Sequence, residues 1–267
     1  EKDIISKSTI IICMPNFSAS APLITFTKKY KQLRVASMPM VEKRMEETGL
    51  AADYRLVAKK CEIMEPLFKE AVGIEVLFST GHQCYFDISN NNHVYLDDAD
   101  LSRDVQKIRL CNLPAGEVAT CPNESPDSKT AGEIPAIIDN EQIVHVIKNN
   151  NIINILGDGP TAQKRRIAFA SETALRNIAE VAIGCNEKAA VAGNILEDEK
   201  AGFHWAYGRS DHLGGTTSPD NFSAPDKVEH TDIVYAIGNP IVCSKLDFIF
   251  ADGSRKTGIK EGKLILI

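Results

Sequence analysis

The chain has 267 residues, of which 43% are hydrophobic and 25% are charged, a balance typical of a globular protein with a sizeable core. Thirty basic and thirty-six acidic residues give a net charge of −6, which removes the simplest electrostatic argument for binding nucleic acid or an anionic membrane, so neither partner is expected. No apolar run reaches the roughly 18 residues of a membrane span, and the first residues lack a signal-peptide pattern. The seven cysteines form no C-x-x-C pair. Together these features predict a cytoplasmic protein with reduced thiols.

In the first part of the chain, short apolar runs alternate with helical stretches. The runs that predict buried strands cover residues 8–15, 34–38 and 74–80. The helical stretches cover residues 21–32 and 41–71, the second broken or kinked near Gly49 and Pro66. Because strands that alternate with helices are typical of parallel sheets, residues 1–83 are predicted to form an α/β domain with a parallel sheet.

From about Cys84 onward, short β-like segments follow one another, separated by clusters of Asn, Asp, Gly and Pro. One helix is predicted to interrupt them at residues 161–184, with Thr161 as its N-cap and Gly184 at its end. Residues 84–267 are therefore predicted to form a strand-rich α+β domain, and this domain contains the candidate metal ligands.

Five candidate ligands occur in this second part, namely Glu117, Glu180, His204, His230 and Asp232. Residues i and i+2 of a strand project from the same face, so His230 and Asp232 could bind one ion together. Imidazole and carboxylate groups suit zinc, cobalt, manganese or iron. Each residue also has a purely structural interpretation, since His204 lies between two aromatic residues, Glu117 follows a turn-like segment and Glu180 could occupy an exposed helix position.

The order and context of these residues resemble a known family. The segments "LPAGEVATCP", "EVAIG", "DEKAGFHWAYGR" and "HTD" occur in the same order as motifs of the metallo-aminopeptidase family typified by aminopeptidase T and aminopeptidase S. The resemblance is specific over about residues 110–235. It implies that all five candidate ligands bind a pair of divalent ions such as zinc, cobalt or manganese, and that the chain forms a homodimer.

The same resemblance implies a peptidase that removes N-terminal residues from peptides with a metal-activated water. Glu117 or Glu180 would be the bridging ligand or the general base. Asp211 occupies the position at which the family has a catalytic Tyr, seven residues after the motif His. A carboxylate cannot donate a hydrogen bond at neutral pH, so Tyr207, His212 or Arg209 would have to replace the phenol. Residues 212–221, "HLGGTTSPDN", are predicted to form a glycine-rich loop beside the site.

Two alternative functions remain open from the sequence. His204, His230 and Asp232 form the two-His, one-carboxylate set of non-haem iron(II) oxygenases, and ring-cleaving dihydroxypyridine dioxygenases are similar in sequence to the aminopeptidase family. The chain could instead be a catalytically degenerate subunit for peptide binding or assembly, because Asp211 replaces the motif Tyr. An imidazole separation above about 10 Å between His204 and His230 would exclude any common metal site.

Overall fold

The structure is a computed structural model that describes residues 2–17, 19–90, 93–101 and 110–265. Five α-helices occur in these ranges, α1 Lys2–Lys7, α2 Ser20–Lys29, α3 Tyr54–Glu70, α4 Pro160–Ser171 and α5 Ile195–Asp198. The strands are β1 Ile10–Cys13, β2 Arg34–Ser37, β3 Gly73–Phe78, β4 Gln83–Asp87, β5 Val94–Asp97, β6 Leu110–Asn112, β7 Glu117–Thr120, β8 Ala131–Ile138, β9 Glu141–Lys148, β10 Asn151–Leu156, β11 Ile178–Gly184, β12 Phe203–Gly208, β13 His230–Val234, β14 Cys243–Ile249, β15 Arg255–Lys260 and β16 Lys263–Leu264.

These strands form three sheets. The largest has eight strands in the order β10-β9-β8-β4-β3-β14-β15-β16, and the second has five in the order β13-β12-β11-β7-β5. Every pairing in both sheets is antiparallel. A small parallel sheet contains β1, β2 and β6. The described chain is therefore mostly antiparallel sheet with few helices.

The predicted α/β domain with a parallel sheet is consequently wrong as a description of the N-terminal part. Strand β3 lies inside the antiparallel eight-stranded sheet, between β4 and β14. Only four residues separate the end of β3 at Phe78 from the start of β4 at Gln83. A connection this short permits a hairpin, whereas parallel neighbours need a crossover of about a dozen residues or more. This β3–β4 hairpin also pairs residues across the predicted domain boundary at 83/84, and the division into two domains stays a prediction.

The predicted helix at residues 161–184 is only half helical. Helix α4 ends at Ser171, a 3-10 turn covers Thr173–Arg176, and the remainder is the strand β11. All seven residues of β11 are buried because the strand lies between β7 and β12, so it lacks the apolar–polar alternation of a half-exposed strand. A short apolar run of this kind cannot be assigned to a helix or a strand from periodicity alone. Glu180 therefore lies on a strand.

The predicted helical stretch at residues 41–71 is divided as expected near Gly49, but not at Pro66. Two 3-10 turns precede α3, whose N-cap is Asp53, and the Asp53 carboxylate accepts a hydrogen bond from the Arg55 backbone N–H at 3.0 Å. Pro66 lies inside α3, which continues to Glu70. No helix in the described ranges is long and apolar enough to cross a membrane.

Strand β12 shows which face of the five-stranded sheet packs in the core and which face carries His204. Phe203, Trp205 and Tyr207 are fully buried, and their alternate positions place them on one face. The Phe203 ring lies 6.1 Å from Phe78 on β3, and the Trp205 ring lies 5.4 Å from the His145 ring on β9. This face therefore packs against the eight-stranded sheet and forms the main core. The intervening residues of β12, including His204, belong to the opposite face.

Candidate metal site

Pairing register places all five predicted ligands on that opposite face of the five-stranded sheet. On β12, His204 is opposite Ala182 of β11, and Ala206 is opposite both Glu180 of β11 and Asp232 of β13. His230 is two residues from Asp232 and is opposite Gly208. Glu117 of β7 is opposite Gly184 of β11. The positions between the ligands on this face are small residues, namely Ala119, Ala182, Gly184, Ala206 and Gly208.

The ligand atoms are close enough to surround a cation. His230 Nε2 lies 3.0 Å from Glu180 Oε2 and 3.3 Å from Asp232 Oδ1. His204 Nε2 lies 3.6 Å from Glu180 Oε1 and 3.5 Å from Glu117 Oε2. Glu180 thus has one carboxylate oxygen near each imidazole.

Three overlapping sets of ligand atoms in the described ranges lie within 4.8 Å of one another. The sets are Glu117, Glu180 and His204, then Glu180, His230 and Asp232, and finally Glu199, His204 and Asp232. Asp232 belongs to one set with each imidazole, so its carboxylate lies within 4.8 Å of a ring nitrogen of His204 and of one of His230. The arrangement therefore brings the two imidazoles to one site.

Backbone carbonyls orient both imidazoles toward the carboxylates. His230 Nδ1 lies 2.6 Å from the Arg209 carbonyl oxygen, and His204 Nδ1 lies 3.3 Å from the Gly202 carbonyl oxygen. Donation of Nδ1–H to a carbonyl leaves Nε2 as the lone-pair atom for a metal ion. Nε2 of His204 is buried and has no hydrogen-bond partner among the described residues. A buried ring nitrogen that faces two carboxylates takes up a cation, either a proton or a metal ion, so the donor set fits a divalent metal ion.

Exposure changes across the site. The side chains of His230 and Asp232 are 19% and 16% exposed, whereas those of His204 and Glu117 are 1% and 6% exposed. Strand β13 forms the edge of its sheet, so the His230–Asp232 side is the one open to small molecules.

On the closed side, the site contains a buried lysine that the sequence analysis missed. The Lys200 side chain is fully buried, and its Nζ lies 2.7 Å from Glu117 Oε2, 2.6 Å from Glu199 Oε1 and 3.8 Å from Asp97 Oδ2. The backbone of Lys200 crosses directly over Gly184, where an added Cβ would lie 2.3 Å from the Lys200 carbonyl carbon. Only glycine at position 184 permits this close approach.

The charges of the cluster favour cations. Burial alone would lower the pKa of Lys200, but Glu117, Glu199 and Asp97 outweigh it and raise the pKa well above the ordinary lysine value. Burial likewise opposes protonation of His204, yet Glu180 and the other carboxylates raise its pKa to about 9. Burial disfavours ionised Glu180, but the neighbouring imidazoles of His204 and His230 lower its pKa overall. An environment that stabilises positive charge on Lys200 and His204 and keeps Glu180 ionised also attracts metal ions.

Asp211 does not join the cluster of the five predicted ligands. Its carboxylate pairs with the Arg209 guanidinium, which donates through Nε and through Nη2, the latter at 3.1 Å. This pairing lowers the pKa of Asp211, so the carboxylate stays ionised. Tyr207 lies on the core face of β12, where its ring packs 5.1 Å from that of Phe169. His212 is different, because its ring centroid lies 4.7 Å from that of His230 at the open side.

The glycine-rich loop is anchored by Glu124, which the sequence analysis also missed. Glu124 accepts hydrogen bonds from Ser210 Oγ at 2.6 Å and from Thr216 Oγ1 at 2.7 Å, as well as from the Thr216 backbone N–H. Burial opposes ionisation of this carboxylate, but its hydrogen bonds with Ser210 and Thr216 lower its pKa. One carboxylate thus fixes the loop next to the candidate ligands.

The missed residues had weak signals in the sequence. Glu199 and Lys200 lie inside the segment "DEKAGFHWAYGR", directly before the His204 strand, and Asp97 is the last residue of β5. Charged residues are rarely buried, so a sequence argument assigns them to the surface. Lys200 is buried and Glu199 partly buried because the 3-10 turn Glu199–Ala201 crosses the sheet, and no local sequence pattern predicts this crossing.

Comparisons with known proteins identify a shared fold. No protein-family model matches the chain, and no curated protein sequence matches it. Solved structures do match, among them the structure of 2,5-dihydroxypyridine dioxygenase from Pseudomonas putida KT2440, with a TM-score of 0.61 and 16% sequence identity. The match covers 99% of this chain and 74% of the dioxygenase chain.

The resemblance to metallo-aminopeptidases is therefore corrected, together with the peptidase function and the hydrolase class that it implied. The matching fold belongs to a dioxygenase. The motifs around Glu117, Glu180 and His204 mark candidate ligands that share one face of a sheet, and one set of side chains can serve unrelated reactions on related scaffolds. Short motifs therefore predicted the residues that converge but not the chemistry.

Proposed function

We propose that the protein is a mononuclear non-haem iron(II) dioxygenase that cleaves the ring of a dihydroxylated aromatic compound. The observation that carries the proposal is the position of Asp232, whose carboxylate lies within 4.8 Å of a ring nitrogen of His204 and of His230, so that two imidazoles and one carboxylate meet on one face of the sheet. This is the ligand set of non-haem iron(II) oxygenases, which leaves coordination positions free for other molecules. The fold shared with a dihydroxypyridine dioxygenase supports the same reaction class.

In this proposal, His204 and Asp232 hold the iron from neighbouring strands, and His230 completes the set from the exposed edge. Bound iron(II) supplies redox chemistry toward dioxygen and a binding position for a substrate hydroxyl. The Arg209 carbonyl holds the His230 ring in place by accepting from Nδ1–H, which fixes the tautomer that a metal ligand needs. Glu180 remains ionised beside both imidazoles and contributes negative charge.

The substrate would approach past His212. This imidazole lies next to His230, and its side chain is 38% exposed, so it can hydrogen-bond a hydroxyl group of a bound aromatic ring. Leu213, the next residue, lines a cavity of about 330 Å³ together with His93 and Cys121. Cavities of this size accommodate small ligands. Glu124 fixes the loop that forms one wall of this cavity.

Anaerobic reconstitution with iron(II) tests the proposal. Oxygen uptake and loss of aromatic absorbance are measured with 2,5-dihydroxypyridine, catechols and hydroquinones, and we expect uptake with at least one class. Asp232→Ala should abolish uptake and iron binding together, whereas His82→Ala, at a surface histidine that pairs with Glu133 at 3.9 Å, should leave both intact. One bound iron with no oxygen uptake across the whole panel would remove the dioxygenase assignment.

A further inference from the structure

Lys200 occupies the position of a second cation in the carboxylate cluster. Its ammonium group lies 2.7 Å from Glu117 and 2.6 Å from Glu199, with Asp97 at 3.8 Å. These are the contacts that a cation makes in an acidic site. The side chain is fully buried, so the charge cannot move away into solvent.

Glu117 links Lys200 to the candidate metal site, because one of its carboxylate oxygens lies near both Lys200 and His204. A single oxygen, Glu117 Oε2, lies 2.7 Å from Lys200 Nζ and 3.5 Å from His204 Nε2. A divalent ion bound by Glu117 and His204 would need to approach this oxygen to about 2.0–2.2 Å. It would then lie beside the buried ammonium group, and repulsion between two cations is strong where water is excluded.

We propose that Lys200 limits the cluster to a single metal ion by occupying the cation position between Glu117 and Glu199, so that the remaining donors, Glu180, His204, His230 and Asp232, serve one cation. The inference rests on the proposed function and explains why a five-ligand set that could hold two ions would act as a one-iron site. Lys200 is a positioning residue here, because it acts through the carboxylates and has no access to substrate.

Main-chain contacts hold Lys200 and its partner Asp97 in position. Gly184 lets the Lys200 backbone lie on the sheet, and the Asn186 backbone N–H donates to the Lys200 carbonyl at 3.0 Å. Asp97 in turn accepts a hydrogen bond from the Asn112 backbone N–H at 3.1 Å. Both the cation and its distal acidic partner are therefore held by main-chain contacts, as expected for a permanent component of the site.

Metal stoichiometry tests the inference without measuring turnover. The full chain is titrated anaerobically with Co²⁺ and with Fe²⁺, and bound metal is counted by elemental analysis after gel filtration. We expect one ion per chain for the wild type and two for Lys200→Met, which keeps the length of the side chain and removes its charge. Lys69→Met is the matched control, because Lys69 is an exposed lysine on α3 that pairs with Glu65, and it should stay at one.

Glu117→Gln keeps the inference testable even where Lys200→Met does not fold. If Glu117 serves only as the ion-pair partner of Lys200, the Glu117→Gln variant should still bind one ion. Its metal affinity should lie within about tenfold of the wild type, which is the lower end of the loss seen when an outer partner of a metal site is removed. Loss of the ion in Glu117→Gln overturns the inference. So do two ions or none in the wild type, or one ion in a folded Lys200→Met variant.

The two proposals fail in different ways. One ion per chain without oxygen uptake removes the dioxygenase function and leaves the role of Lys200 in place. Two ions per wild-type chain together with oxygen uptake removes the role of Lys200 and leaves the function in place.

Discussion

The two sides of the carboxylate cluster use the same residue types for different purposes. On the open side, His230 and Asp232 are 19% and 16% exposed and lie on an edge strand. On the closed side, Glu117 and Lys200 are 6% and 0% exposed and neutralise each other at 2.7 Å. Exposure therefore separates two partly exposed donors from a carboxylate that pairs with a buried lysine. The comparison teaches that acidic residues of one cluster can differ in their partners, since one set faces imidazoles and the other a buried lysine.

The two sides also differ in what holds them. The open side is held by the Arg209 carbonyl and by the loop that Glu124 fixes. The closed side is held by the backbone passing over Gly184. Substitutions on the open side should therefore lower metal affinity, whereas substitutions on the closed side should lower folding stability and, at Lys200, change the number of ions bound.

The largest expected effect is on metal binding at the open side. His230→Ala removes a ligand and should weaken binding by more than about 100-fold, since loss of an outer partner alone typically costs 10- to 100-fold. Calorimetric titration with Co²⁺ measures the change. His212→Ala removes the neighbouring imidazole and should leave Co²⁺ affinity nearly unchanged. An equal loss of Co²⁺ affinity in both variants would contradict the assignment of His230 as a metal ligand and His212 as a neighbour that does not bind the ion.

On the closed side, Lys200→Met should destabilise the metal-free protein by about 3–5 kcal/mol, because breaking a buried ion pair leaves uncompensated carboxylates. Urea unfolding followed by circular dichroism measures the free energy of unfolding. The exposed pair of Lys69 and Glu65 sets the scale, and Lys69→Met should cost about 0.3–0.5 kcal/mol. We expect saturating Co²⁺ to restore part of the stability of Lys200→Met. A cost as small as that of Lys69→Met would mean that the buried charges are not coupled.

The loop anchor gives a pH-dependent prediction. Glu124→Gln should lower the free energy of unfolding by about 1.5–3 kcal/mol at neutral pH, the range for hydrogen bonds to a charged group. Hydrogen bonds with Ser210 and Thr216 lower the pKa of Glu124 against the opposing effect of burial, so ionised Glu124 favours the folded state. This contribution is complete above the ordinary glutamate pKa of about 4.3 and is lost as the pH falls through the lower folded value.

The stability difference between wild type and Glu124→Gln should therefore shrink as the pH is lowered from neutral through and below the ordinary glutamate pKa of about 4.3. Thermal unfolding of both proteins across this range measures it. A difference that stays constant with pH would contradict an ionised anchor.

The smallest expected effect concerns Gly184→Ala. The added Cβ would meet the Lys200 carbonyl carbon at 2.3 Å, and overpacking of this kind costs about 1–3 kcal/mol. Gly193→Ala is the comparison, because nothing lies within 4 Å of its Cβ and only its φ of +80° opposes the substitution, at about 1 kcal/mol. Chemical unfolding of the two variants separates steric displacement of the Lys200 backbone from backbone strain. Equal costs would indicate that the backbone over Gly184 shifts freely.

Much of the local structure could be predicted from the sequence. Apolar runs predicted strands where β1, β2 and β3 occur, and the i, i+2 spacing predicted that His230 and Asp232 share a face. These features depend on neighbours within a few residues, because side-chain direction alternates along any strand. The residue types also limited the chemistry to metals that accept imidazole and carboxylate ligands.

Other features could not be predicted because they arise from distant parts of the chain. The segment that carries Glu180 is a strand only because β7 and β12 supply its hydrogen-bonding partners. The parallel sheet predicted for the N-terminal part was wrong because β3 pairs antiparallel with β14, about 170 residues later in the chain. The local pattern of these residues is compatible with either arrangement.

The sequence by itself determined which donors this protein has and which neighbouring donors point the same way, because side-chain chemistry and strand alternation are local properties. Only the tertiary structure decided which donors remain available to a metal ion. Lys200 reaches Glu117 because a 3-10 turn crosses the sheet at Gly184, and the resulting ion pair joins residues 83 positions apart. Burial of a charge is a property of everything that surrounds it, so no stretch of sequence around Lys200 specifies it.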